Sequence, residues 1–136
     1  MIRIPENIAN KVNFIIGNSL KVLNQPVVVH DKNRINFLSE LSKLILDYPD
    51  IRQYPDVATF GFWCRKSNLN KIFKNFTSKQ LQVGLGLIYH NSPSNVPVNF
   101  AFSLAFGVLS GNSNVVRLSS KESASTDIIV HLISKL

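Results

Sequence analysis

The side chains of this sequence with the widest chemical repertoire are one thiol and three imidazoles. Cys64 is the only cysteine among 136 residues, so it must be considered as a nucleophile. The basic neighbours Arg65 and Lys66 would lower the pKa of its thiol, whereas burial beside Trp63 would raise it. We interpret Cys64 as a structural residue. The histidines lie far apart and lack the spacing of metal ligands, so the sequence predicts no metal site. They are His30, His90 and His131.

A second group of polar side chains lies in a proline-bracketed turn, NSPSNVP, at residues 91–97. Pro93 and Pro97 fix φ on either side of Asn95 and so limit the directions in which its carboxamide can point. Ligands of α/β units bind at the carboxyl ends of strands, where such turns lie. Two interpretations of Asn95 are therefore open. It contacts a ligand, or it is an Asx-type turn residue that caps the following helix.

The charge of the chain is unevenly distributed. Between Val57 and Lys121 there are seven basic residues and no Asp or Glu, so this block supplies the whole net charge of +7. A field of one sign attracts anions such as phosphates, coenzyme A or nucleic acid. The alternative is a solvated basic helix face with no specific partner.

Three predicted elements must position the turn: a strand before it, a helix after it and a second strand after the helix. An apolar run at residues 83–89 predicts the first strand, and a longer one at 98–109 predicts a buried helix that ends at Gly111. A second strand restarts at Val115. Such a unit favours parallel, right-handed pairing. We therefore expect Arg117, at the end of the second strand, to leave the sheet at the same end as the turn.

The other predicted elements lie upstream and downstream of this unit. They are a small hairpin over residues 14–23, a short strand over 27–29, a helix from a cap at Asp31 or Asn33 to Asp47, a helix from Pro55 to Phe76 with a break at Ser67-Asn68, and a last helix from Ser123 or Ser125 onward. The last helix reaches Leu136 without a Gly or Pro stop, and two parallel strands make a poor sheet alone. We therefore expect the amino-terminal piece of a longer protein.

Composition excludes several classes of protein. The hydrophobic content of 45% and the mean hydropathy of +0.09 argue against disorder. A single cysteine excludes an internal disulfide framework and fits a reducing cytoplasm. The first residues lack the apolar core of a signal peptide, and the most apolar segment is too short for a membrane span. We expect a cytoplasmic protein without a membrane span.

Two stretches carry a resemblance to known enzymes. PSNVP, then an apolar helix, then SGNSNVVRLS resembles the aldehyde dehydrogenase superfamily, whose pattern is Pro-aromatic-Asn-Phe-Pro, then Ala-Gly-Asn and Val-Val-x-Lys-Pro-Ser-Glu. Upstream, YPDVATFGFWCR at residues 54–65 is similar to the bacterial long-chain acyl-CoA reductases of the luminescence type. The resemblance covers about residues 33–136.

The resemblance implies the amino-terminal part of an aldehyde-dehydrogenase-like α/β fold, with an incomplete Rossmann-like parallel sheet and flanking helices. Residues 1–80 would form an amino-terminal α+β segment, and 81–136 would start a dinucleotide-binding βαβ domain. The implied reaction reduces a long-chain fatty acyl-CoA to a fatty aldehyde through a cysteine thioester, and an aldehyde dehydrogenase running in the oxidative direction is the nearby alternative. A homo-oligomer of the full-length protein is left open.

The resemblance also implies roles for residues at both strand ends. Asn95 would donate its amide to the oxyanion that forms when a cysteine attacks the substrate carbonyl. That cysteine lies downstream in the family, so this chain alone is expected to be inactive. Arg117 stands where the pattern has Lys and Ser120 where it has Glu, which adds a phosphate donor and removes a carboxylate that would repel a 2′-phosphate. NADPH is therefore the expected cofactor, bound by Arg117, Ser119, Ser120 and Pro93.

A small basic nucleic-acid-binding module is the alternative from a different class. It depends on a pI of about 9.8 and on aromatic residues interleaved with basic ones. The aromatic residues are Trp63, Phe73 and Phe76. They equally suit the apolar face of a helix, and no known nucleic-acid-binding motif is present. We therefore expect no nucleic-acid partner.

Overall fold

The computed structural model describes residues 12–17, 25–75 and 80–136. This part of the chain contains five α-helices, one short 3-10 helix and a two-stranded sheet. In chain order they are α1 (Lys32–Leu46), the 3-10 helix (Ile51–Gln53), α2 (Pro55–Trp63), α3 (Lys66–Asn75), β1 (Leu87–Asn91), α4 (Asn99–Leu109), β2 (Ser113–Arg117) and α5 (Ala124–Ile133). The predicted α/β class with an incomplete sheet is confirmed.

The sheet consists of β1 and β2 in parallel, with Leu87 opposite Ser113 and Asn91 opposite Arg117. The buried helix α4 is the crossover between them, as predicted. The first strand was predicted over residues 83–89 and lies further along the chain, at Leu87–Asn91. The strand starts later because the side chain of Asn112 accepts hydrogen bonds that a paired strand would otherwise accept. Asn112 Oδ1 accepts hydrogen bonds from the backbone N–H groups of Leu85 at 2.6 Å and Gly86 at 3.1 Å.

The segment before α1 lies against the sheet without forming a strand. The backbone N–H of Val27 donates to the carbonyl of Gly111 at 2.9 Å, and that of Gly84 donates to the carbonyl of Val27 at 2.9 Å. Val28 and Val83 form one isolated antiparallel bridge, so the strand predicted over residues 27–29 is wrong. Most of the predicted hairpin, residues 18–23, lies outside the described residues, and residues 14–17 contain no strand.

The helices begin where the sequence signals place them, but one break differs. Asp31 caps α1, because its carboxylate accepts from the backbone N–H groups of Asn33 at 2.9 Å and Arg34 at 3.3 Å. Pro55 is the first residue of α2. The break between α2 and α3 falls at Cys64 and Arg65, a few residues before the predicted Ser67-Asn68, and Phe76 lies outside the described residues.

The core lies between α1, α2, α4 and α5 and includes residues from both sides of position 80. The predicted domain boundary at that position stays a prediction. Within the core, α1 and α2 pack closely, since a Cβ at Gly61 would lie 2.6 Å from Cγ2 of Ile45. The buried Ser42 hydroxyl donates to the Gly61 carbonyl at 2.7 Å and satisfies that polar pair. None of the described helices has the length and apolarity that a bilayer crossing requires.

Candidate functional site

A cleft of about 130 Å³ opens at the carboxyl ends of β1 and β2. Its walls come from the turn after β1, the start of α4, the segment after β2 and the start of α5. The residues that line it are Ser92, Pro93, Ser94, Asn95, Pro97, Phe100, Arg117, Leu118, Ser119, Lys121, Glu122, Ser123 and Thr126. Parallel pairing brings the two strand ends together, so the predicted coincidence of Asn95 and Arg117 at one end of the sheet is confirmed.

The strand register positions the guanidinium of Arg117. Asn91 and Arg117 are paired residues at the last rung of the sheet, and Nη1 of Arg117 donates to Oδ1 of Asn91 at 3.2 Å. Beyond the strand, the Ser119 hydroxyl accepts from the backbone N–H of Lys121 at 3.0 Å. This local bond is typical of a serine turn, and Lys121 and Glu122 after it also line the cleft. Ser120 is exposed and lies outside the cleft lining.

The Asn95 side chain is exposed in the turn. The cap residue of α4 is Val98, and no side chain of the described residues provides the capping hydrogen bond. The interpretation of Asn95 as a helix cap is therefore wrong, and its carboxamide is not committed to that helix. The turn is held instead from α5, where the Thr126 hydroxyl donates to the Pro97 carbonyl at 3.3 Å. The predicted role of Asn95 toward a substrate stays a prediction.

The cleft carries two cations and one carboxylate. Arg117, Lys121 and Glu122 all line it, and in residues 12–17, 25–75 and 80–136 the one ion pair joins Lys43 and Glu40. The cleft charges are therefore not neutralised by a described residue. Sequence reasoning identified Arg117 but missed Glu122, because the turn at residues 119–121 that brings it to the cleft has no spacing signal.

Cys64 lies in the core at the end of α2. Its relative exposure is 0%, and burial raises the pKa of the thiol to about 12. The thiolate is the reactive form of cysteine, so a thiol with this pKa is inert near neutral pH. The interpretation of Cys64 as a structural residue agrees with this burial.

His90 and His30 contact other side chains, whereas His131 is exposed on α5. His90 Nε2 lies 2.9 Å from Asn114 Oδ1, and the amide nitrogen of Asn114 donates to the Asn112 carbonyl at 2.8 Å. Oδ1 of Asn114 is thus an acceptor, so His90 donates from Nε2. Burial lowers the pKa of His30, whose ring centroid lies 4.0 Å from that of Phe73. Within the described ranges, no three His, Cys, Asp or Glu side chains form a potential metal site.

The aromatic rings that the nucleic-acid alternative requires are packed against other rings. The centroid of Trp63 lies 5.6 Å from that of Phe102 and 5.1 Å from that of Phe106. Phe73 contacts His30, and Phe76 lies outside the described residues. Trp63 and Phe73 therefore contribute to the fold, and stacking on bases would have to compete with these contacts.

Comparison with known proteins bears on the whole cleft. A family model described as acyl-CoA reductase (LuxC) matches residues 64–136, which is more than half of the chain. The chain belongs to the LuxC acyl-CoA reductase family. The match includes both strands, the turn that carries Asn95 and the segment after Arg117, so it confirms the resemblance to luminescence-type reductases. Acyl-CoA reduction is the activity of that family. Comparisons with curated proteins and with solved structures gave no match.

Proposed function

We propose that this chain forms part of an NADPH-dependent reductase that converts a long-chain fatty acyl-CoA to a fatty aldehyde through a cysteine thioester. The observation that carries the proposal is the shared cleft, in which Asn95 and Arg117 stand at the ends of adjacent parallel strands. Ligands of open α/β sheets bind at this position. The family match supports acyl-CoA reduction in general.

Asn95 serves in this proposal as an oxyanion donor. Its amide is neutral, exposed and outside the capping of α4, and Pro93 restricts the turn that carries it. A donor held in place before the reaction stabilises negative charge as that charge develops on the carbonyl oxygen. Removal of one such donor costs roughly 100- to 1,000-fold in rate.

The cleft has the donor set that a phosphorylated nucleotide requires. Arg117 offers a planar pair of N–H donors, Lys121 adds a second cation, and Ser119 adds a hydroxyl. Ser92 also lines the cleft, and its hydroxyl is buried without a hydrogen-bond partner among the described residues. This hydroxyl can therefore bond to a ligand. When bound, NADPH supplies the hydride for reduction. Arg117, Ser119 and Pro93 would hold its adenosine end, and Ser120 belongs to the same proposal from the sequence pattern.

The nucleophile in this proposal is a cysteine outside the chain. Cys64 is the one thiol of the sequence, and its burial and raised pKa of about 12 leave it unsuited to attack a thioester. The chain alone would therefore bind nucleotide without turnover. Its substrate would be a fatty acyl-CoA in the cytoplasm.

Titration of the chain with NADPH, followed by nucleotide fluorescence or calorimetry, tests the proposal. We expect Arg117→Ala to weaken NADPH binding by about 10- to 100-fold, because a charge-assisted hydrogen bond to phosphate is lost. Arg52→Ala is the matched control, since Arg52 is an exposed arginine on the 3-10 helix, away from the cleft. Its affinity should equal that of the unchanged chain.

Two results would contradict the proposal. The first is no NADPH binding by the unchanged, folded chain. The second is an equal loss of affinity in Arg117→Ala and Arg52→Ala, which would indicate attraction by net charge and not by the cleft.

A further inference from the structure

One side of α3 exposes only lysines and small polar side chains. At a rotation of about 100° per residue, these exposed positions share one side of the helix, and we call that side the lysine face. Its residues are Lys66, Ser67, Asn70, Lys71 and Lys74. The apolar residues take the other side, where Leu69 is fully buried in the core. The lysine face is therefore open to a partner, while the helix itself is held by the rest of the protein.

No carboxylate from the same part of the sequence neutralises the lysine face. The chain has no Asp or Glu between Val57 and Lys121. Lys66 does contact α1, but its Nζ donates to the neutral amide oxygen of Asn36 at 3.0 Å, which leaves the charge of this lysine uncompensated. Glu40, one turn further along α1, is paired with Lys43. The face thus has a positive field, which attracts anions and repels a second copy of itself.

An exposed aromatic ring is joined to the start of the lysine face through Arg65. Phe62 lies near the end of α2 and is 51% exposed. The guanidinium carbon of Arg65 lies 4.4 Å from the centroid of the Phe62 ring, and Arg65 is itself exposed, directly before α3. An apolar ring beside a cation suits the boundary between lipid headgroups and acyl chains, where the ring enters the lipid and the cation stays with the headgroups.

Nucleic acid, an acidic protein and an anionic lipid surface all carry the charge that such a face attracts. Single-stranded nucleic acid requires free rings for base stacking, whereas Trp63 and Phe73 are packed against other rings. Protein interfaces are depleted in lysine and centre on buried aromatic or apolar anchors, and the lysine face has no such anchor. Anionic headgroups are attracted by clusters of lysine and arginine without a complementary shape. The lipid surface therefore fits best.

We propose that the lysine face, together with Arg65 and Phe62, docks the protein on an anionic lipid surface. None of these residues lines the cleft, so the inference goes beyond the proposed function and does not depend on nucleotide binding. The two are compatible, because a fatty aldehyde released beside a bilayer passes from water into lipid.

Sedimentation with lipid vesicles tests the inference. The full chain is mixed, without nucleotide, with vesicles of phosphatidylcholine that contain phosphatidylglycerol and with vesicles of phosphatidylcholine alone. We expect it to bind the anionic vesicles at low ionic strength, to release them as salt is added, and to leave the neutral vesicles unbound. Neutral and anionic vesicles bound equally well would overturn the inference.

The double variant Lys66→Gln with Lys71→Gln should weaken binding to anionic vesicles by about 10- to 30-fold, because each cation near such a surface contributes about fivefold. Glutamine keeps an amide that can donate to Asn36. Phe62→Ala should weaken binding by about three- to tenfold, through loss of apolar contact, and should leave the salt dependence unchanged. Binding that is unaltered in the double variant would contradict the docking role of the face.

Arg52→Gln with Lys135→Gln is the matched control, since it removes the same charge from exposed residues outside α3 and outside the cleft. It should retain the binding of the unchanged chain. Equal losses in the two double variants would indicate attraction by net charge alone and overturn the inference.

Two further results would also overturn it. One is no binding of the unchanged, folded chain to anionic vesicles, which leaves the proposed function intact because NADPH binding is measured separately. The other is tighter retention on single-stranded DNA than on anionic vesicles at the same salt concentration, which would favour a nucleic-acid partner. Far-ultraviolet circular dichroism verifies that each variant is folded.

Discussion

At the ends of β1 and β2, polar and charged residues line an open cleft, whereas at the end of α2 the one thiol of the sequence is fully buried. Asn95 and Arg117 are exposed, and their side chains can donate hydrogen bonds to a charged ligand. Cys64 is the more reactive residue type, yet burial raises its pKa to about 12. Access and environment, more than residue type, therefore decide which groups can do chemistry.

The largest expected effect is the loss of activity caused by a substitution in the cleft. In an active acyl-CoA reductase that carries this chain, Asn95→Ala should lower kcat by about 100- to 1,000-fold, because the oxyanion loses a fixed donor. The midpoint of thermal unfolding should stay unchanged, since Asn95 is exposed and outside the helix cap. Steady-state kinetics and a thermal melt measure the two quantities.

Asn70→Ala is the matched control for that substitution, because Asn70 is exposed on α3 and outside the cleft. It should leave kcat unchanged. A kcat for Asn95→Ala within about threefold of the unchanged enzyme would refute the donor role, since the typical loss is far larger.

The next largest effect is a loss of stability caused by a substitution in the core. Gly61→Ala should lower the free energy of unfolding by about 1–3 kcal/mol, because the added methyl group overpacks a full interior. A Cβ at Gly61 would lie 2.6 Å from Ile45 Cγ2. Urea unfolding measures the loss, and NADPH affinity should not change.

Ile45→Ala provides the matching double-mutant cycle. Ile45 has 0% exposure, so this change alone removes core contacts, but it also removes the Cγ2 atom that the new methyl group would strike. Gly61→Ala should therefore cost less in the Ile45→Ala background than in the unchanged chain. Additive costs would show that the close approach of α1 and α2 is not the source of the effect.

The smallest effect is expected for the thiol. Cys64→Ala should cost about 1 kcal/mol of unfolding free energy for a small cavity and should leave NADPH affinity unchanged. Burial raises the pKa of Cys64 from 9.0 to about 12, so its neutral form is favoured in the folded state. That contribution to stability is complete below pH 9.0 and is lost as the pH rises toward 12.

Urea unfolding between neutral pH and pH 11 measures this dependence. Unfolding free energy should fall more steeply with pH in the unchanged chain than in Cys64→Ala. A Cys64→Ala variant that loses NADPH binding while remaining folded would contradict the separation of the two regions.

The sequence was sufficient to predict the βαβ unit and the shared strand end of Asn95 and Arg117, and it narrowed the caps of α1 and α5 to two candidate residues each. These follow from local signals such as Asp31, Ser123 and the proline-bracketed turn, each of which acts within a few residues. The exact start of β1 could not be predicted, because it depends on Asn112, whose carboxamide binds backbone groups of Leu85 and Gly86 more than twenty residues away.

Only some of the residues that line the cleft could be predicted from the sequence. Arg117 follows directly from the end of a strand, so its position needs only the parallel pairing. Glu122 reaches the cleft through the turn at Ser119 and Lys121, and no apolar period or motif marks such a turn. The long-range contacts of Asn112 and a local turn at Ser119 that has no sequence motif therefore account for what the sequence did not reveal.

Mapping of NADPH on the folded chain by two-dimensional 1H–15N NMR tests the central claim most directly. We expect the amide signals displaced by NADPH to cluster at Ser92, Ser94, Asn95 and residues 117–123, and those of α1 and of the residues around Cys64 to stay in place. Displacements centred on Cys64, or spread over Lys66, Lys71 and Lys74 of α3 with the cleft unaffected, would contradict this expectation.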